Sequence, residues 1–346
     1  MKFVQRLKQW MNNPESQPDI EKWYGENYKK FKGKNGGSNV FTTRPSKRIL
    51  QIGTEKTEKK TLENLRERYS IAPTMTAQER ETTLKAAGKE FLAEVKKDSV
   101  WQDRLDNIND LRKKADAAEE KAAALQWDEK KREAFWEAAR KGDELRKKQW
   151  AAMDSVLTDN AKTFASYLAR IRPIGVDEAE LGKHITSNGS AVAPVVKKAY
   201  RHYPRDWTDM SFARGGVKTK KVKRGYYNDY ESIIAISGNG GGRSFETAIH
   251  ELGHRMEDSI PDIMQAEKAF YERRTAGEDL EWLGPGYDKR EKARRDKFIE
   301  MYMGKDYGGY GYELVSMGFE YAYTNPLYLM EDEDMAEWIL GILALL

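Results

Sequence analysis

The 346-residue sequence contains no cysteine, which excludes disulfides and every metal site that needs thiolate ligands. Histidine is scarce as well, with four residues in the chain, so a metal site here would depend on these few imidazoles and on carboxylates. No apolar run is long enough to cross a bilayer, because the C-terminal apolar segment 338–346 is well short of about 20 residues. We therefore expect this segment to form a buried helix that closes the core.

The chain also lacks a strong excess of charge of either sign. Its net charge is +4 although 34% of its residues are charged, and most lysines and arginines stand close to Glu or Asp in the sequence. This pattern is typical of solvated helix faces and gives no clear sign of a nucleic-acid or membrane partner. Residues 1–10 are amphipathic and lack the apolar core of a secretory signal, so we do not expect export by that route.

Composition divides the chain into three parts. Residues 1–75 are largely polar and sustain no apolar period, which predicts a partly extended arm. Residues 76–170 are rich in Ala, Glu, Lys, Leu and Arg and contain no proline, which predicts long helices, either antiparallel or in a coiled coil. This helical region is a candidate surface for oligomerisation. The remaining motifs all fall in residues 171–346, which we interpret as a further domain.

Residues 250–254 read His-Glu-Leu-Gly-His, an example of the His-Glu-x-x-His pattern. On an α-helix, His250 and His254 lie on the same face, so both imidazoles can reach one zinc ion. Glu251 is turned by about 100° from the first histidine, which keeps it from binding the metal itself. Its position beside a metal-bound water predicts that Glu251 acts as a general base.

The sequence around the motif supports a strand, a turn and a helix in that order. The apolar run 232–237 predicts a strand, the glycine-rich residues 238–242 predict a turn, and Ser244 is a candidate N-cap. Apolar side chains recur on one side of the segment that follows: Phe245, Ile249, Leu252 and Met256. Upstream, the basic run 218–224 could contact a nucleic acid, but lysines that protect a sheet edge are the favoured interpretation.

A catalytic zinc site needs a third protein ligand. Segment 312–323 has helical spacing, and two of its carboxylates, Glu313 and Glu320, share a face. Through the His-Glu-x-x-His motif and Glu313, the chain resembles the zincin metallopeptidases, and among them the gluzincins. The resemblance implies Zn²⁺ as cofactor and Glu313 as third ligand, with Glu320 as an alternative ligand or as a residue that orients a histidine. Glu257 and Asp258 could take that orienting role or face solvent.

The chain is more similar to the lethal-factor-like branch, in which a tyrosine shortly before the ligand glutamate stabilises the oxyanion. This similarity implies Tyr307, Tyr310 or Tyr312 as the corresponding donor. It also implies an α+β fold, in which a C-terminal zincin-like domain has a small mixed sheet, an active-site helix and C-terminal helices. An extended substrate could then pair with the strand at 233–237.

The wider sequence resembles zincin-like domains of tailed-bacteriophage structural and head-morphogenesis proteins. The similarity rests on Tyr203-Pro204 with Trp207, on segment 224–228, on the motif itself and on segment 313–318. It implies a zinc endopeptidase, in the virion or in the cytoplasm of a bacterial host, whose zinc-bound water cleaves a protein substrate or virion structural proteins. In the alternative, the zincin domain is structural or vestigial, and the helical region and arm mediate contacts in an assembly.

Overall fold

The computed structural model describes residues 61–346, except 126–130, 187–190, 238–241, 285–286, 297, 306 and 310. The predicted N-terminal arm therefore lies largely outside the described residues. The described part is mostly helical and contains a small mixed sheet, which is compatible with the predicted α+β class. No helix in that part is both long enough and apolar enough to cross a membrane.

The first helices begin earlier than predicted: residues 62–68, assigned to the extended arm, are helical because Leu62 and Leu65 are buried in the core. The long helices that follow occupy the predicted helical region. The elements up to residue 168 are a 3-10 turn (Leu62–Asn64), α1 (Leu65–Arg68), α2 (Ala77–Val95), α3 (Ser99–Ala124) and α4 (Arg132–Leu168). Thr76 begins α2 because its hydroxyl accepts the backbone N–H of Glu79 at 3.2 Å. Helices α3 and α4 are antiparallel, since the indole of Trp101 near the start of α3 donates to Asn160 near the end of α4.

The rest of the chain alternates helices with short strands. Its elements are α5 (Glu178–His184), β1 (Ile185–Thr186), α6 (Ala193–Tyr200), α7 (Arg205–Ala213), β2 (Val217–Val222), β3 (Tyr226–Asn228), β4 (Ile233–Ser237), α8 (Gly242–Ser259), α9 (Pro261–Arg274), β5 (Glu281–Trp282), β6 (Lys292–Ala293), a 3-10 turn (Met301–Gly304), α10 (Leu314–Thr324), α11 (Pro326–Leu329) and α12 (Glu333–Leu345). Strands β5 and β6 form a separate antiparallel pair.

Four strands form the main sheet in the order β1-β2-β4-β3. Strand β4 is parallel to β2 and antiparallel to β3, and its buried central residues confirm the strand predicted from the apolar run. The prediction that a substrate pairs with β4 is wrong, because residues 233–235 already pair on both sides. Among the described strands, β3 is the one with an unpaired edge at this end of the sheet.

One continuous core joins the early helices to the C-terminal segment. Helix α12 is buried from Met335 to Leu345, which confirms the predicted closing helix, and it packs against α2. The two backbones approach closely because glycines lie at the crossing: a Cβ on Gly88 would overlap the carbonyl of Glu337, and one on Gly341 that of Leu84. Helix α4 contacts both α8 and α10, so the helical region supports the helices that carry the motif residues.

Candidate metal centre

Helix α8 presents both histidines of the motif from one face. Its opposite side is buried through Phe245, Ala248, Ile249, Leu252 and Met256. The prediction that Ser244 is the N-cap is wrong, because the helix already begins at Gly242. The Ser244 hydroxyl instead donates to the carbonyl of Ser237 at 2.6 Å and ties the first turn of α8 to the end of β4.

The glycine inside the motif allows a second helix to approach the histidines. A Cβ on Gly253 would lie 2.7 Å from Cα of Ser316, closer than side-chain atoms pack against a backbone. The absence of a side chain therefore lets α10 cross α8 at close range. This crossing brings Glu313, the residue that precedes α10, next to both imidazoles.

Three potential ligand atoms converge at this crossing. Oε2 of Glu313 lies 3.2 Å from Nε2 of His250 and 3.2 Å from Nε2 of His254, and all three atoms lie within 4.8 Å of one another. A tetrahedral zinc ion with bonds of about 2.0–2.1 Å needs ligand atoms roughly 3.3 Å apart. Two imidazoles and a carboxylate at this spacing fit such an ion, so the group could hold a metal.

Two further carboxylates contact the outer nitrogens of the imidazoles. Nδ1 of His250 lies 3.0 Å from Glu320, and Nδ1 of His254 lies 3.1 Å from Glu257. Carboxylates in this position orient imidazoles toward a metal and make them better ligands. Two roles were predicted for Glu320, that of third metal ligand and that of a residue that orients a histidine. Its contact with the outer nitrogen of His250 fits the second role. Asp258 faces elsewhere, since it pairs with Arg214 and accepts a hydrogen bond from Tyr227.

Opposing charges are concentrated in this group. Burial by itself would lower the pKa of each histidine, but Glu313 and Glu320 raise the pKa of His250 to about 10. For His254, Glu257 and Glu313 outweigh burial and raise the pKa well above its ordinary value. Burial would raise the pKa of Glu313, yet the two imidazoles hold it well below its usual range. A metal ion that binds here must displace the imidazole protons.

The carboxyl group of Glu251 lies beside the ligand group and against the chain that enters β3. It is 5% exposed, and burial raises its pKa. A Cβ on Gly225 would lie 2.7 Å from Oε1 of Glu251 and 2.5 Å from Cγ2 of Thr247, so glycine provides the space that this carboxyl occupies. A buried carboxyl with a raised pKa is suited to accept a proton near neutral pH.

The tyrosines predicted as oxyanion donors differ in position. The Tyr307 hydroxyl donates to Oε1 of Glu313. Tyr307 is also 42% exposed, so it lies between the candidate ligands and solvent. Tyr312 does not share that position: its ring is buried against Tyr271, with ring centroids 4.7 Å apart. Tyr310 lies outside the described residues.

No pattern in the sequence indicated that Glu267, a fully buried carboxylate on α9, supports the candidate metal centre. Its Oε1 accepts the backbone N–H of Val315 in the first turn of α10 at 2.8 Å. Glu313 stands at the N-cap of that helix but makes no capping bond with its side chain, because its carboxylate is directed at the histidines. Glu267 therefore supplies the acceptor that the N-terminus of α10 needs.

Glu267 also lies in the electrostatic field of Glu257, the carboxylate that contacts His254. Oε2 of Glu267 and Oε1 of Glu257 are both buried without a hydrogen-bond partner in the described part of the chain. Burial and the nearby charge of Glu257 raise the pKa of Glu267 well above its usual range. Glu267 therefore holds the N-terminus of α10 through Val315 and interacts with Glu257 through charge alone.

We expect Glu267→Leu to weaken zinc affinity by about 10- to 100-fold, the usual effect of losing a group that supports metal ligands. Glu267→Gln should bind zinc nearly as well as the native chain, because its amide oxygen can still accept the backbone N–H of Val315. Chelator competition with purified protein measures both affinities, and Glu272→Leu, an exposed change on the same helix, is the control. A folded Glu267→Leu protein with native affinity would contradict this role.

No protein-family model, curated protein or solved structure matches this chain.

Proposed function

We propose that this protein is a zinc-dependent endopeptidase. The observation that carries the proposal is the buried carboxyl of Glu251 beside the converging atoms of His250, His254 and Glu313. Three protein ligands leave a coordination position open, as in catalytic zinc sites, whereas structural sites are closed by four. A purely structural ion would have no use for an adjacent base.

Each residue then has a definite role around the metal. The ion would be held by Nε2 of His250, Nε2 of His254 and the carboxylate of Glu313. Glu257 and Glu320 would keep the two imidazole rings in the required orientation through their contacts at 3.1 and 3.0 Å. Bound zinc supplies a Lewis acid that polarises the scissile carbonyl and makes water more acidic.

Proton transfer is the task of Glu251. Its carboxylate accepts a proton from the attacking water and later delivers one to the departing amine. The Tyr307 hydroxyl, which already contacts Glu313, would donate to the carbonyl oxygen as that oxygen gains negative charge. An extended substrate would pair with β3, because this strand has an unpaired edge among the described strands and begins next to the residue that contacts Glu251.

We propose that the peptidase acts in the assembly or in the virion of a tailed bacteriophage. The similarity of segments 224–228 and 313–318 to zincin-like domains of tailed-phage structural proteins supports a virion or head-assembly protein as substrate. It equally supports a location in the virion or in the cytoplasm of a bacterial host. The helical region would then position the peptidase through protein contacts.

Metal removal and restoration test the proposed activity. The purified chain should bind one zinc ion and cleave extended peptides from a mixed peptide library, with products identified by mass spectrometry. Stripping the metal with a chelator should end cleavage, and one equivalent of zinc should restore it, because the Lewis acid is required. Reloading with Mg²⁺, which prefers oxygen ligands, is the control. Cleavage that survives complete metal removal would refute the proposal.

A further inference from the structure

The basic run 218–224 is not explained by the peptidase chemistry. Its cationic residues are Lys218, Lys220, Lys221, Lys223 and Arg224, and all five are exposed. None of them forms an ion pair with a carboxylate in the described part of the chain. Protection of a sheet edge does not account for Lys223 and Arg224, because these two residues follow β2 and lie in the turn before β3.

This run ends at the candidate metal centre. Arg224 immediately precedes Gly225, whose backbone adjoins the carboxyl of Glu251. The Arg224 guanidinium lies 3.4 Å from the hydroxyl of Tyr302. That hydroxyl lies 3.4 Å from the hydroxyl of Tyr307, which in turn donates to Glu313. A continuous set of contacts therefore connects Arg224 with the group of candidate ligands.

Charge is distributed unevenly along the exposed edge of β3. The chain before the strand carries Lys223 and Arg224, and the chain after it carries Asp229 and Glu231, all of them exposed. Nearby Lys305 is largely neutralised, because it pairs with Glu291 at 2.7 Å. A peptide that pairs with β3 would thus meet exposed positive charge from Lys223 and Arg224 near Glu251, although Glu291 also acts electrostatically on Arg224. At the far end of the strand it would meet negative charge.

We propose that this basic run, with Arg224 as the main determinant, selects polypeptides that carry clustered Asp and Glu side chains beside the scissile bond. The inference rests on the proposed peptidase function and names its class of substrate. Guanidinium groups bind carboxylates through two parallel hydrogen bonds, which gives them both charge and geometry for this recognition. The lysines on β2 are separated from β3 by β4, so they add only a weaker long-range attraction. Nucleic-acid phosphates would also be attracted, but the location beside Glu251 and a strand edge favours a polypeptide.

Binding is measured on the full chain carrying Glu251→Gln and loaded with zinc, so that cleavage does not interfere. The probes are three labelled peptides of equal length, which have Glu, Gln or Lys at the same positions and an amidated C-terminus. We expect the Glu peptide to bind at least about 10-fold more tightly than the Gln peptide, the scale of a charge-assisted pair. Arg224→Gln should remove most of this preference. Lys147→Gln/Lys148→Gln, two exposed changes on α4, should not.

Three results would overturn the inference. The first is equal binding of the Glu and Gln peptides. The second is a single-stranded oligonucleotide that displaces the Glu peptide and loses affinity in Arg224→Gln, because the run would then bind nucleic acid. The third is a Gln peptide with a free C-terminal carboxylate that binds as tightly as the amidated Glu peptide, because recognition would then concern the chain end.

The inference and the peptidase activity can fail separately. If the native chain cleaves peptides but shows no preference for acidic ones in binding or in kcat/KM, the inference fails and the peptidase stands. If acidic peptides bind through Arg224 and the zinc-loaded native chain cleaves none of them, the binding surface stands and the peptidase fails.

Discussion

Replacing Glu251 by Gln should abolish peptide cleavage and leave the metal in place. An amide cannot accept a proton from the attacking water, so kcat should fall by about 10²- to 10⁴-fold, the range for loss of a general base. Gln has the shape of Glu and should fit the space next to Gly225 that the native carboxyl occupies. Because Glu251 is not one of the three converging residues, one zinc ion per chain should remain.

Two measurements on the same samples decide this result: zinc content and the initial rate of peptide cleavage. Glu272→Gln, an exposed change on α9, should match the native chain in both. If Glu251→Gln cleaves at the native rate with zinc bound, the assigned base is wrong. If the native chain and the variant both bind one zinc and neither cleaves, the metal is structural and the assembly alternative is favoured.

Replacing Glu313 should have the largest effect on metal binding. Its Oε2 lies 3.2 Å from both Nε2 atoms, so Glu313→Ala would leave two imidazoles as the only ligands. We expect this variant to retain no zinc after gel filtration. Glu320 contacts only the outer nitrogen of His250, so Glu320→Ala should keep the ion with affinity lower by about 10- to 100-fold.

Folding must be separated from metal binding in these variants. The Glu313 side chain does not cap α10, and the Val315 N–H is already satisfied by Glu267, so the helix should survive the loss of this carboxylate. Far-ultraviolet circular dichroism of metal-free protein checks this expectation, and Glu313→Gln provides a variant of nearly native shape. Stoichiometric zinc in Glu313→Ala together with its loss from Glu320→Ala would identify Glu320 as the third ligand.

Local patterns predicted several elements of this protein correctly. The apolar run ending at Ser237 is β4, and the apolar C-terminal segment is the buried helix α12. The histidine spacing implied a helix with both imidazoles on one face, and α8 has this arrangement. Each of these features depends on residues close together in the sequence, where the helix or strand period determines which side chains share a face.

The incorrect predictions concern relations that local patterns do not contain. Ser244 has the composition of an N-cap, but the helix starts earlier, and such boundaries shift easily by a residue or two. The pairing of β4 with a substrate failed because its neighbours come from distant segments: β3 and β2 occupy its sides. Burial of Tyr312 against Tyr271 likewise depends on how α9 packs beside the start of α10.

The sequence by itself determined that His250 and His254 share one face of a helix and that Glu251 stands beside them, because the helical repeat relates neighbouring residues. It left two carboxylates, Glu313 and Glu320, as candidates for one position. Only the tertiary structure decided between their locations: the close crossing at Gly253 brings Glu313 to the inner nitrogens and Glu320 to an outer one. A distance between two helices depends on everything packed around both of them, and no repeat within either helix records it.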